Sequence, residues 1–126
     1  MSSTTRGRIL VVEDDPDAAL FAVHVLSHRG QFDVTHTADP VVALRLAADE
    51  HWDLVLTDME MPGMTGLELR DALRQVAPAL PVVVVSAHAP AGLTGGYLEK
   101  PLGIEQLLAT ATTLISQGRA LRADGG

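Results

Sequence analysis

Three acidic residues in this chain stand where a short apolar run stops. Glu13 and Asp14 follow Ile9-Leu10-Val11-Val12, and Asp58 closes Leu54-Val55-Leu56-Thr57. An uninterrupted short apolar run suits a strand covered on both faces in a parallel sheet. In open α/β sheets ligands bind at the carboxyl ends of such strands, where the strand order reverses. Three carboxylates gathered in one crevice repel one another and drive a pKa upward. A hard divalent cation relieves this; Mg²⁺ takes oxygen ligands, typically one or two carboxylates plus waters and phosphate oxygens. Two more polar residues follow apolar runs. Ser86 ends Val82 to Val85, and Lys100, the sole lysine, follows Tyr97-Leu98-Glu99. Ser86 can donate a hydroxyl hydrogen bond, and Lys100 adds a mobile positive charge. Carboxylates, metal, hydroxyl and ammonium together suit a phosphoryl group, with one carboxylate as nucleophile.

The elements between these residues have to bring them together. Asp15-Pro16 reads as the cap and first residue of a helix to about His28, with Ala19, Val23 and Leu26 on its buried stripe. Gly30 ends it. Phe32, Val34 and His36 alternate with polar neighbours, as in a half-exposed edge strand. Asp39-Pro40 opens a second helix to about Glu50. The run Asp53 to Asp58 is the third strand, and Pro62-Gly63 is the turn behind it. Thr65 and Glu68 form a capping box for a third helix carrying Leu69, Ala72, Leu73 and Val76. Val82 to Ser86 and Gly96 to Glu99 are two further strands. The last helix spans about Ile104 to Gln117, with Ile104, Leu107, Leu108, Ala111 and Ile115 buried. Strands alternating with helices imply an α/β fold, a doubly wound parallel five-stranded sheet. In the flavodoxin-like order 2-1-3-4-5, strands one and three are neighbours at the switch point, so Glu13, Asp14 and Asp58 converge.

Composition sets the frame. The 126 residues make one domain, with an ordered core of about 7–119 and a tail at 120–126. There is no cysteine, which excludes disulfides and thiolate metal sites. No apolar run is long enough to span a bilayer and Met1 to Arg8 lack a signal-peptide core, so a soluble cytoplasmic protein is expected. A net charge of −7 argues against direct binding to nucleic acid. His24 and His28, an i, i+4 pair, have no evident third metal ligand and read as exposed side chains. Met59, Met61 and Met64 read as loop packing.

Four segments together resemble the receiver domain of bacterial two-component response regulators, of the chemotaxis-regulator type. They are Ile9 to Pro16, Asp53 to Gly66, Pro81 to Ala87, and Tyr97 to Pro101. The resemblance covers nearly the whole chain, and the four motifs come in the right order and spacing. It implies that Asp58 is the phospho-acceptor. It implies that Asp14 is the main Mg²⁺ ligand, that Glu13 acts through water, and that the backbone carbonyl of Glu60 completes the protein ligands. Ser86 and Tyr97 are the implied switch residues. Lys100 is implied to contact the phosphoryl group, and the Lys100-Pro101 bond to be cis. The phosphoryl donor is then a histidine kinase or histidine phosphotransfer protein. The domain is a switch that catalyses its own phosphorylation and dephosphorylation rather than an enzyme, with Glu60 and His88 beside the water that attacks the acyl phosphate.

One departure is large. Members of the family carry a helix between switch hydroxyl and switch aromatic, in a segment about twice as long as Ala87 to Gly96. A reduced or absent fourth helix is therefore expected, and with it an uncovered face on the fourth strand that a homodimer or a docking protein covers. With no effector segment after Gly126, output through an unidentified protein partner is expected. The competing function is a receiver-fold binding module that works without phosphorylation. An enzyme and an electron carrier fit worse. The second acid of a haloacid dehalogenase-like phosphatase is Asp where this chain has Glu60, and Glu13-Asp14-Asp15 would repel the phosphate of a flavodoxin's FMN.

Overall fold

The computed structural model describes residues 7–87 and 96–125, with side chains described through Arg119. Five parallel strands form one sheet in the order β2-β1-β3-β4-β5. They are β1 (Arg8–Val12), β2 (Asp33–Thr37), β3 (Leu54–Asp58), β4 (Val82–Ser86) and β5 (Tyr97–Glu99). The helices are α1 (Pro16–His24), α2 (Pro40–Asp49), α3 (Gly66–Val76) and α4 (Ile104–Gly125), the last being the C-terminal helix. Doubly wound connection puts helices on both faces, which is why β1 and β3 are apolar at consecutive positions and not at alternate ones.

Two cores result. Ile9, Val11, Leu54, Leu56, Val83 and Val85 point to α1 and α4, where Leu107, Ala111 and Ile115 meet them. Leu10, Val12 and Val55 point the other way, onto Ala43 and Ala47 of α2 and Leu69 and Leu73 of α3. Local signals set the helix starts. Asp15 and Asp39 accept hydrogen bonds from the N–H groups of Asp17 and Val41, each ahead of a proline. Thr65 and Glu68 close the reciprocal capping box of α3. No helix among the described residues is long and apolar enough to cross a membrane.

Several expectations are corrected. The first helix is α-helical only to His24 and then widens into a π turn, Val25–Arg29. Gly30 N–H closes that turn on the Val25 carbonyl, and Ser27 Oγ donates to the Val23 carbonyl, competing with the regular ladder. The turn brings Ala22, Val25 and Leu26 inward together and leaves Val23 half-buried. On α3, the apolar Val76 is exposed, so the buried stripe ends at Leu73. α4 continues to Gly125 beyond the expected Gln117, through a segment rich in the strong helix formers Arg, Ala and Leu. Its first residue, Ile104, faces solvent, since the buried stripe begins one turn later at Leu107.

The expected open face on β4 is also absent. Val83 to Ser86 are all buried, because β4 is an interior strand between β3 and β5 with α3 packed against it. This removes the ground for a dimer or docking patch there. The expectation of a reduced helix between β4 and β5, and the position of His88, fall on residues 88–95, outside the described residues.

Candidate functional site

The carboxyl ends of β1, β3, β4 and β5 meet at one edge of the sheet. Parallel pairing of β1 with β3, Val12 opposite Thr57, places Glu13 beside Asp58. Carboxylate oxygens of Glu13, Asp14 and Asp58 lie within 4.8 Å of one another. Glu13 and Asp58 are buried, and Asp14 is exposed at the rim. The Lys100 Nζ reaches in from beyond β5, 2.7 Å from Asp58 Oδ1 and 3.9 Å from Glu13 Oε1. It is aimed by its own backbone: Lys100 N–H donates to the Ser86 carbonyl at 2.8 Å, extending the β4–β5 ladder by one bond. The Lys100–Pro101 peptide is cis.

Charge accumulates here, and two groups register it. Burial pushes the Glu13 carboxyl above the usual range. The Asp15 N–H on Oε2, at 3.1 Å, opposes that, and repulsion from Asp58 adds to it. Burial works against the Lys100 ammonium, but the hydrogen bond and the charge of Asp58, with Glu13 behind it, outweigh burial and raise its pKa. An acidic crevice with one ammonium has room for a further cation or for the cationic partner of an incoming anion.

Ser86 is buried at the tip of β4. Together with Asp58, Glu60, Ala87 and Lys100 it lines a cleft of about 70 Å³. Glu60 is exposed in the loop after β3. Tyr97 opens β5, opposite Val84 and two residues before the Ser86–Glu99 pair. Its buried hydroxyl has no hydrogen-bond partner among the described residues. Gly66, first residue of α3, sits against the Asp58 backbone: its N–H donates to the Met59 carbonyl at 2.7 Å. A second, larger cavity of about 330 Å³ adjoins the carboxylates, between Ala18, Phe21 and Ala22 of α1 and Pro101-Leu102. His24 and His28 are exposed, their ring centroids 4.5 Å apart with the planes tilted by 32°. Met61 is buried in the α2–α3 core and Met64 packs against it.

Two groups went unmarked by sequence reasoning. His36 reaches from β2 to the Glu13 carbonyl, with Nε2 at 2.8 Å. Asp53, at the far end of β3, is buried. It accepts from Arg8 N–H at 2.8 Å and meets His51 at 3.2 Å and Arg119 at 3.7 Å. Burial opposes its charge, but the Arg8 and His51 contacts hold its carboxyl below the usual range. Beside it Trp52 is buried under the Arg8 guanidinium and donates Nε1–H to the Leu46 carbonyl. Nothing in the local sequence separates these residues from ordinary strand and loop positions.

A fold of this order with a carboxylate–ammonium site at its switch point defines the receiver class of signalling domain. The chain belongs to the response regulator receiver domain family, whose profile matches residues 9–112. That family works in phosphorylation-dependent signalling and is a family of switches rather than of enzymes. The response regulator MprA of Mycobacterium sp. strain KMS is 38% identical over 116 residues, 86% of this chain and 50% of that protein. The chain thus spans about half the length of the curated relatives it matches. Among solved structures, a transiently phosphorylated switch of bacterial signal transduction superposes with a TM-score of 0.77 at 30% identity, over 92% of this chain and 99% of that one. The receiver domain of a sensor histidine kinase from Pseudomonas aeruginosa PAO1, with a magnesium ion coordinated in its active-site cleft, gives 0.79 at 26% identity, over 87% and 98%.

Proposed function

We propose that this chain is a phosphorylation-dependent switch whose acceptor is Asp58. The donor is the phosphohistidine of a histidine kinase or phosphotransfer protein. An Asp58 carboxylate oxygen attacks the phosphorus, the P–N bond breaks, and the imidazole leaves with the bonding pair and takes up a proton. The observation that carries this reading is the Lys100–Asp58 contact within the carboxylate cluster at the strand ends. Lys100 can follow a phosphoryl oxygen once Asp58 carries an acyl phosphate, since its ammonium already sits on the acceptor. Ser86, across the same small cleft, is placed to donate to a second oxygen. Tyr97, two register steps away, with a buried hydroxyl that has no partner among the described residues, is the residue that can change position when Ser86 moves.

Glu13, Asp14, Asp58 and the Glu60 backbone carbonyl fit a Mg²⁺ ion. The donor set is all oxygen, and three carboxylates converge whose mutual repulsion a cation would relieve. Bound there, the ion neutralises charge that develops on the transferring phosphoryl group. A signal leaves through binding of another protein. Incubation with acetyl phosphate and Mg²⁺, followed by intact-mass spectrometry, should add one phosphoryl group to the wild type and none to Asp58→Asn. An unmodified wild-type chain would favour the phosphorylation-independent binding module.

A further inference from the structure

We infer that His36 is a positioning residue for the acidic cluster: its Nε2–H fixes the peptide that joins Glu13 to Asp14. This rests on the reading of the cluster as a Mg²⁺ site. The β1–β2 ladder pairs Val11 with His36 and Val12 with Thr37, and β1 ends there. Two contacts extend the grip by one residue. Glu13 N–H donates to the Thr37 carbonyl at 3.1 Å, and the Glu13 carbonyl lies 2.8 Å from His36 Nε2. A carbonyl can only accept, so the ring must carry its proton on Nε2. Both backbone polar groups of Glu13 are therefore held by the tip of β2, and its Oε2 is held by Asp15 N–H.

The geometry matters because Glu13 and Asp14 share this peptide unit. The Glu13 carbonyl carbon is bonded to Asp14 N, so rotation of that peptide swings the Asp14 carboxylate. Asp14 is exposed, so burial does not fix its side chain. Within a 4.8 Å cluster, a small peptide rotation takes one ligand out of reach, and Mg²⁺ demands near-ideal octahedral geometry. A hydrogen bond of this kind is worth roughly a factor of ten in an equilibrium. Because His36 is exposed, replacing it removes no core packing, so folding is little affected and metal binding takes the loss.

The test compares His36→Leu, which removes the donor, with His36→Gln, whose terminal amide reaches about as far as Nε2. Calorimetric titration with MgCl₂ should show affinity about tenfold weaker in His36→Leu and close to wild type in His36→Gln, with unchanged thermal midpoints. Equal Mg²⁺ affinity in wild type and His36→Leu, or equal loss in both variants, overturns the inference. A wild type that binds no Mg²⁺ overturns the reading of the site instead. The inference then stands or falls on metal-free NMR. The His36 ring must show a protonated Nε2, and the Asp14 amide signal must shift in His36→Leu and return in His36→Gln. A ring protonated only at Nδ1, or an unmoved amide, overturns it.

Discussion

The Nζ of Lys100 lies 2.7 Å from Oδ1 of Asp58, reaching across the end of β4 from beyond β5 to the tip of β3. The chain's one lysine thus neutralises the carboxylate that is proposed to accept phosphate. Lys100→Met should leave a buried carboxylate unpaired and cost about 1–3 kcal/mol, between an exposed pair and a fully buried one, because Lys100 is about a third exposed. The pKa of Lys100 is raised, so its contribution is fully present below the unfolded value near 10.4 and is lost as pH rises through the higher folded value. Urea unfolding at pH 7 and above pH 11 should show the gap between wild type and variant closing at the alkaline end.

Asp14 and Asp15 are adjacent, exposed and chemically alike, yet they should fail differently. Asp15 caps α1 through the Asp17 N–H at 3.2 Å. Asp15→Ala should cost about 1 kcal/mol of stability and leave Mg²⁺ affinity nearly intact. Asp14→Ala should do the reverse. Equal loss of metal affinity in the two variants would contradict the assignment.

Glu13 gives a prediction of opposite sign. Its folded pKa is raised, so its stabilising contribution belongs to pH below the unfolded value near 4.3 and is lost as pH rises through the folded value. At pH 7 without metal the ionised side chain therefore opposes folding. Glu13→Gln should raise the melting temperature of the metal-free protein at pH 7 and lose that advantage near pH 4. Calorimetry at the two pH values checks this.

Gly66 couples α3 to the acceptor. A Cβ there would stand 2.5 Å from the Asp58 carbonyl oxygen and 3.0 Å from Met59 Cα, both backbone atoms with little freedom to yield. Helix propensity favours alanine over glycine by about 1 kcal/mol. Overpacking against backbone costs about 1–3 kcal/mol, and at 2.5 Å the steric cost should win. Gly66→Ala should therefore be destabilised by denaturant unfolding and slower to accept phosphate from acetyl phosphate, because Asp58 is what must move.

Asp53 anchors the opposite end of the sheet. Asp53→Asn should cost about 1–2 kcal/mol at pH 7 through its weakened contacts to Arg8, His51 and Arg119. Its folded pKa is depressed, so its contribution is present above the unfolded value near 3.9 and is lost as pH falls through the folded value. Wild type and variant should converge in stability once the pH falls below that depressed folded value. A gap that persists there would mean that the charge of Asp53 is not what holds this end together.

The sequence by itself determined the order of elements, the parallel sheet and the residues at its carboxyl edge. The signals are local and carry their own physics. Apolar runs ending in Glu13, Asp58 and Ser86 mark strand tips, and Asp15-Pro16, Asp39-Pro40 and Thr65-Glu68 mark helix starts through hydrogen bonds made within three residues. Periodicity reports that a face is apolar, but not what lies opposite it or where the cover ends. Tertiary structure therefore decided that Ile104 and Val76 face solvent and that both faces of β4 are buried. It alone decided the contacts between residues far apart in sequence. His36 meets the Glu13 carbonyl 23 residues away because the β1–β2 register brings it there, and Arg8 N–H meets Asp53 across 45 residues for the same reason. Register is fixed by the packing of whole strands, so no inspection of either residue's neighbours could supply it.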